Sequence, residues 1–590
     1  MELSENRIIK SIIFVCFFFS IISTNSKAEL KYQVFLQQAV PMRDGVKLSA
    51  DLFLQNKSLQ KSPALFVMTP YTSDRVFNDA VYFAENGYNV VVVDCRGRGN
   101  SEGRFVPFEN EGKDGFDVCK WIEQQTWSNG KIGMFGGSYL GMIQWLVLKE
   151  KPPALKSVVP TACVGPGIDF PKQNNIFYSY NVQWLAFVYG KASNTNTFTN
   201  SKYWDEIYSL HFIQHIPYNL GDVIAGIKSE NYQNWLKHPD FDDYYKKILP
   251  NQNDYANIEI PVLTITGHFD DDQPGTMNYY KSFMKYGNKK AKGQSYIIIG
   301  PWDHGGTRRP SNKMGNLTFG ENAIIDMNKI HLEWFNRTLN NSSKPEFLKD
   351  NAAVYETGTN EWKYAPSLEA FTNSSLKFYL GGRVQPGDTA NAGVLSMDAP
   401  QSEEPDMFRY FPLDTNNSYR RFRSHGTDFG WREESDAFFQ DKLIYHSAPL
   451  EKDIRYTGFL KFSAYFSMDV PDTDFEGIMY AIEPDGTCVY LSSTVMRAKY
   501  RNSLEKAELC RKDEIYKLEM NTFHFTSRMI KKGSRFRFVF GSLNSPYYQK
   551  NYNSGKDPSF ETARDAKDAA IKIYHDSKHQ SFIEIPVAEE

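Results

Sequence analysis

The stretch KIGMFGGSYLGMIQWLV, Lys131 to Val147, constrains this chain more than any other. An apolar run enters Gly136-Gly137-Ser138-Tyr139 and a second apolar run, of helical character, leaves it. The pattern predicts a buried strand, a sharp turn and a buried helix. Small residues before the serine permit the turn, and the helix aims its free N-terminal N–H groups at the hydroxyl. Ser138 is therefore the candidate nucleophile at a strand-to-helix elbow, and the Tyr139 N–H is a candidate oxyanion donor. The generic elbow has glycine two residues after the serine; here Leu140 holds that place and the glycine comes one later, at Gly141.

A chain of 590 residues exceeds what one core serves, so two or three domains are expected. Its 67 basic and 70 acidic residues nearly cancel, to a net charge of -3, and no long basic run is present to neutralise phosphates. Nucleic acid is thereby excluded as the expected partner. Arg7 and Lys10, the apolar run Ile12 to Ile22 and the segment STNSKA have the three-part form of a secretory signal cleaved after Ala28. A secreted or periplasmic protein is expected, without a stable membrane anchor after cleavage, because a spanning helix needs about 20 apolar residues. Leaving out Cys16 in that run, the cysteines are Cys95, Cys119, Cys163, Cys488 and Cys510, with no CxxC pair. No metal or cofactor site is signalled, and Cys488 and Cys510 fit either a disulfide or buried thiols.

From Tyr32 the chain reads as a hairpin turning at Arg43-Asp44-Gly45. Near-continuous apolar runs then alternate with helical stretches: PALFVMTPY, YNVVVVDCRG and KIGMFGGSY, and later IPVLTITGHFD and SYIIIGPWDHG. Such runs are buried parallel strands joined by crossover helices, an α/β sheet. The aromatic, helix-like interruption at 165–258 is expected to be a cap inserted between core segments 29–164 and 259–353. Over 354–590, short strands between turns, such as LKFYLGG and SRFRFVFGS, favour an antiparallel jelly roll.

A serine hydroxyl needs an imidazole to take its proton and a carboxylate to orient that imidazole. His304 follows the strand SYIIIG and Asp270 follows VLTITG, so the order Ser138, Asp270, His304 is that of a strand-end triad. His268 is a rival that would break the order. Asp270, Asp271 and Asp272 are not separable on residue chemistry, and their run also has the look of a calcium loop or a solvated turn, although EF-hand spacing is missing. Tyr71, after the strand ALFVMTP, can bring its phenol to the same cavity.

These segments, with MRDGVKLSADLF, TPYT, VVVDCRGRGNSEGRF, GHFDDDQPG, GPWDHG and KKGSRFRFVFGSLNSPYYQKN, resemble the cocaine esterase and Xaa-Pro dipeptidyl-peptidase group, the CocE/NonD hydrolases. The resemblance implies an α/β-hydrolase core with a helical cap and a C-terminal jelly roll. It also implies Ser138 as nucleophile, Asp270 as acid, His304 as base, and Tyr71 with the Tyr139 amide as oxyanion hole. The substrate would then be a small ester, amide or short peptide. The α-amino acid ester hydrolases of the group hold a substrate ammonium in a carboxylate cluster. Counting without gaps from the nucleophile puts Lys172 in the place of one member, with Asp272 as a second and Gln273 where a third is expected; Asp169 lies close by. On that count a neutral acyl group is expected, with dipeptidyl-peptidase or α-amino acid ester hydrolase activity as the alternatives. A non-catalytic glycan-binding protein is the alternative of another class, since the chain is 15% aromatic and jelly rolls serve in carbohydrate-binding modules.

Overall fold

Strands covered on both faces must be apolar at nearly every position, and this requirement selects the central sheet. The computed structural model describes residues 31–56, 61–315, 317–382, 392–401, 404–415, 432–433 and 442–589. The secretory segment expected at residues 1–28 lies outside the described residues. Strands β1 (Tyr32–Pro41) and β2 (Lys47–Gln55) form the antiparallel hairpin, with Met42 and Val46 bonded across its turn. β3 (Ser62–Thr69), β4 (Asn89–Asp94), β5 (Ser128–Ser138) and β6 (Leu155–Cys163) follow, and β4 is buried at all of its positions. After the cap come β7 (Leu263–Phe269), β8 (Tyr296–Asp303), β9 (Ala352–Glu356) and β10 (Glu361–Ala365).

These strands form one ten-stranded sheet in the order β1-β2-β4-β3-β5-β6-β7-β8-β9-β10. It is parallel from β4 through β9. The core sheet thus runs past the expected boundary at residue 353, because β9 and the antiparallel β10 extend its edge before the chain leaves it. Helices α1 (Phe77–Glu85), α2 (Glu111–Glu123) and α3 (Tyr139–Glu150) cross between strands, and α3 is buried along ten of its residues. From β3 the chain turns to β4 on one side, while β5 lies on the other. The crevice at the carboxyl ends of β3 and β5 is therefore the topological switch point, where such sheets place ligands.

The cap between β6 and β7 includes helix α4 (Tyr180–Phe187) and the helices Ser201–Ile213 and Glu230–Leu236. From Ser374 onward the chain builds a mainly antiparallel β domain whose interior holds Phe462, Phe466, Phe475, Phe538 and Phe540. Strands Asp474–Ile482 and Cys488–Arg497 form its longest hairpin. The cysteines of the described chain are all buried free thiols, Cys488 and Cys510 included. No helix among the described residues is long and apolar enough to cross a membrane.

Cap and β domain are joined by buried polar bonds. Arg497, 1% exposed, donates to Asp474 from Nε at 2.7 Å and Nη2 at 2.9 Å, to the cap carbonyl of Asn175 at 3.0 Å, and to Gln549 at 3.0 Å. Asn174 reaches the carbonyl of Val495 at 2.6 Å, and Asn175 that of Leu504 at 2.7 Å. Removing one member of a buried pair strands the other charge, so Arg497→Met is expected to lower the unfolding free energy by about 3–5 kcal/mol. Denaturant titration of wild type and variant checks this, and an unchanged midpoint would refute it.

Candidate active site

The sharpest backbone feature is Ser138 itself, at φ 63° and ψ -127° between the last residue pair of β5 and the first turn of α3. A non-glycine residue in this region costs on the order of 1–3 kcal/mol and persists only where its surroundings hold it. Here β5 pairs with β6 up to Ser138, opposite Cys163, and α3 is pressed onto β6. A methyl group on Gly141 would lie 2.6 Å from the Thr161 carbonyl oxygen and 2.8 Å from Cys163 Sγ, which is why the elbow glycine stands at this position. The Ser138 side chain makes no capping bond to its helix, so its hydroxyl is left for other work.

Asp270 lies just past β7 and is fully buried; His304 lies just past β8 with its side chain 28% exposed. His304 Nδ1 is 2.9 Å from Asp270 Oδ1. A carboxylate only accepts, so Nδ1 carries the hydrogen and Nε2 is left as the basic nitrogen. Asp270 also accepts from Thr266 Oγ1 at 2.7 Å and the Asp272 N–H at 3.1 Å. Burial opposes its charge, yet the hydrogen bond and charge of His304, with those two donors, hold its pKa below the ordinary carboxylate value. Asp271 and Asp272 stand 3.6 Å from the same nitrogen, too far for that bond, so the geometry separates the three aspartates. The rival His268 lies between core and β domain, its Nε2 2.6 Å from the carbonyl oxygen of Tyr355 on β9 and its Nδ1 3.3 Å from that of Phe525 on the β domain. Atoms of Asp270, Asp271 and His304 lie within 4.8 Å of one another, a spacing a cation can span, but one that would take Nδ1 from Asp270.

Tyr71 follows β3, and its phenol oxygen accepts from Trp184 Nε1 at 3.0 Å and shares a hydrogen bond with Ser138. Burial pushes its pKa up to about 12, so it stays protonated near neutral pH with a proton to donate. Sequence reasoning missed the supports of this residue. Arg98, from the segment VVVDCRGRGN, donates to the Pro70 carbonyl at 2.7 Å and to the cap carbonyl of Val188 at 2.6 Å, fixing the loop beneath Tyr71. Trp184 sits in the cap with no local motif to mark it, and it also stacks on Tyr139 at 5.4 Å.

Glu111 was missed as well. Its buried carboxylate accepts from the Tyr139 hydroxyl and from the N–H groups of Phe108 at 3.2 Å and Asn110 at 3.1 Å, anchoring the residue that follows Ser138. Asp169 is placed differently from the gapless count. It is 3% exposed, accepts from the N–H groups of Gly165 at 2.7 Å and Gly275, and its charge is felt at Asp272. Burial drives both Asp169 and Asp272 well above the ordinary carboxylate pKa. Lys172 is no part of this cluster: its ammonium turns to the cap carbonyls of His238, Pro239 and Asp240 at 2.8–2.9 Å. Gln273 is spent on the Gly267 and Phe525 carbonyls and the Phe525 N–H.

Fold and elbow together define a serine hydrolase of the α/β-hydrolase class with an appended β domain. Two family models match the chain: X-Pro dipeptidyl-peptidase (S15 family) over residues 44–306, and X-Pro dipeptidyl-peptidase C-terminal non-catalytic domain over residues 347–584. The chain is 26% identical to cocaine esterase of Rhodococcus sp. (strain MB1 Bresler) over 591 residues, covering 94% of this chain and 99% of that one. A solved aminopeptidase from a marine sediment Thaumarchaeota archaeon superposes with a TM-score of 0.78 at 20% identity, covering 98% of this chain and 99% of the other. An α-amino acid ester hydrolase does so with a TM-score of 0.79 at 19% identity, covering 97% and 100%. The chain belongs to the CocE/NonD family of hydrolases. It is an enzyme, and the non-catalytic glycan-binding alternative falls.

Burial raises the Glu111 pKa from 4.5 to about 7, against its hydrogen bonds. A folded-state pKa above the unfolded value means stability that is present below pH 4.5 and lost as pH rises through about 7. Relative to Glu111→Gln, wild type is therefore expected to lose roughly 3 kcal/mol of unfolding free energy between about pH 5 and about pH 8. Paired denaturant titrations across that range check this; a wild-type-to-variant difference that stays flat with pH would contradict it.

Proposed function

We propose that the chain is an exported serine hydrolase that cleaves small esters or amides whose acyl half carries a free ammonium, through an acyl-enzyme on Ser138. The observation that carries this reading is the pair Asp169 and Asp272, two carboxylates beside the Asp270–His304 couple, without an ion-pair partner among the described lysines and arginines. Adjacent buried carboxylates repel one another, and an ammonium between them relieves the repulsion. This reading revises the neutral acyl group expected from the gapless count. Export rests on the form of residues 1–28 alone.

In the first half-reaction Ser138 Oγ attacks the carbonyl carbon while His304 Nε2 takes its proton. Asp270 holds the imidazolium that results, and the Tyr71 hydroxyl and the Tyr139 N–H donate to the oxyanion. Collapse breaks the bond to the departing oxygen or nitrogen, which receives the proton from His304. Water, deprotonated at the same nitrogen, then attacks the acyl-enzyme, releasing the acid and restoring Ser138. No cofactor enters these steps.

A fluorophosphonate is expected to label wild type, and Ser138→Ala to abolish both labelling and turnover; ester hydrolysis that survives in that variant would defeat the reading. Tyr71→Phe removes one oxyanion donor and is expected to lower kcat by about 10²–10³-fold. For the acyl half, kcat/KM toward an α-amino acid ester is expected to exceed that toward its deaminated analogue by about tenfold or more, a preference that Asp272→Asn erases. Equal rates on the two esters in wild type would remove the ammonium from the proposal. An Xaa-Pro dipeptidyl-peptidase is the second reading, favoured by the matched family models and by the same need to anchor an amine. Gly-Pro anilide turned over faster than any single amino acid ester would select it.

A further inference from the structure

The loop that carries His304 continues through Gly305 and Gly306 to Arg308, whose N–H bonds back to the Gly305 carbonyl at 3.2 Å. That turn returns the Arg308 side chain to the strand end holding the nucleophile. A methyl group on Gly137 would lie 2.6 Å from Arg308 Nη1 and 2.7 Å from its Cδ, so the side chain rests on the backbone just before Ser138. Nη1 is buried and has no hydrogen-bond partner among the described residues. Buried guanidinium N–H groups are ordinarily paired, because an unmet donor forfeits its hydration for nothing in return. The carboxylates that feel its charge form no ion pair with it among the described residues. Asp79 bonds Asn328, and Asp271 and Asp272 flank His304 at 3.6 Å.

We propose that Arg308 is a specificity-determining residue that receives a carboxylate on the departing half of the substrate. A carboxylate is the group a planar guanidinium binds best, with two parallel N–H···O bonds where geometry allows. The side follows from the loop: His304 must face the departing atom to return its proton, and Arg308 lies four residues on, past a turn that keeps it beside the elbow. The substrate class is thus an ester or amide whose alcohol or amine carries an acid group, such as an amide of an amino acid. The inference rests on the roles given above to Ser138 and His304, but not on the ammonium pocket.

The test uses two phenyl esters sharing one acyl group, one releasing 3-hydroxybenzoate and the other 3-hydroxybenzamide. Wild type is expected to favour the carboxylate by about tenfold or more in kcat/KM, chiefly through KM. Arg308→Leu is expected to bring the ratio to about one and Arg308→Lys to keep part of it. Because each ratio is taken within one protein, general damage to the site cancels. In wild type alone, free 3-hydroxybenzoate is expected to inhibit more strongly than 3-hydroxybenzamide, a readout that needs no variant to fold. Equal rates on the two esters in wild type, or an unchanged ratio in Arg308→Leu, would overturn the proposal, as would a preference that arises only when the carboxylate is on the acyl half. Fluorophosphonate labelling at Ser138 and turnover of an unsubstituted phenyl ester are read in parallel. If both hold while the ratio is one, Arg308 alone is misassigned; if labelling is absent, the hydrolase reading falls with it.

Discussion

The backbone at Ser138 is the constraint on which the rest of the site depends. A residue with a side chain is held at φ 63°, and three contacts share the cost: the pairing of β5 with β6, the contact of Gly141 with Thr161, and the burial of α3. None of these acts alone, because a slip in the β5–β6 register would carry Gly141 away from Thr161 and let the turn relax. The strain has a chemical return. The Ser138 side chain caps none of the helix that begins at Tyr139, so its hydroxyl and the N–H groups of that first turn are both left for other partners.

A second constraint comes from outside the core. Phe525, on the β domain, exchanges hydrogen bonds with Gln273, and its carbonyl faces His268. Both partners lie within three residues of Asp270, so the β domain supports the acid loop from behind, much as Arg98 supports Tyr71 from the cap side. The β domain is matched by a family model described as non-catalytic. Its contribution is positional: with the core carbonyls of Tyr355 and Gly267, it occupies the polar groups of His268 and Gln273 so that they do not compete for Asp270.

Much of the core could be read from the residues because its determinants are local. Apolar runs such as YNVVVVD can be stable only between two covered faces, and strand-end loops such as GHFDDD and GPWDHG announce their place by following such runs. The placing of Asp270 and His304 just past neighbouring strand ends was legible for the same reason. What was not legible depends on contacts between distant segments. Asp169 stands three positions before Lys172, where a gapless count looks, and the docking of Gly165 and Gly275 onto its carboxylate fixes its place near Asp272. Trp184, Glu111 and Arg308 lie in segments whose local pattern has an ordinary structural explanation. The core edge was misjudged because β9 and β10 are short, and a short strand at a sheet edge looks the same in sequence as the start of a β domain.

The distribution of charge around the elbow draws these pieces together. Around the elbow stand Asp169 and Asp272, disfavoured as anions chiefly by burial, and Arg308, a cation with a donor unmet whose charge reaches Asp272. Such a set of charges is costly when unmet, and the cost is relieved by a ligand of both polarities, ammonium toward the aspartates and carboxylate toward the arginine. A substrate binding at only one end would gain only part of that relief, so the two ends together discriminate more sharply than either charge alone. Polarity of this kind also fixes direction. In the proposed roles, an aminoacyl amide of an amino acid is favoured in the orientation that presents its amide carbonyl to Ser138 and its departing nitrogen to His304.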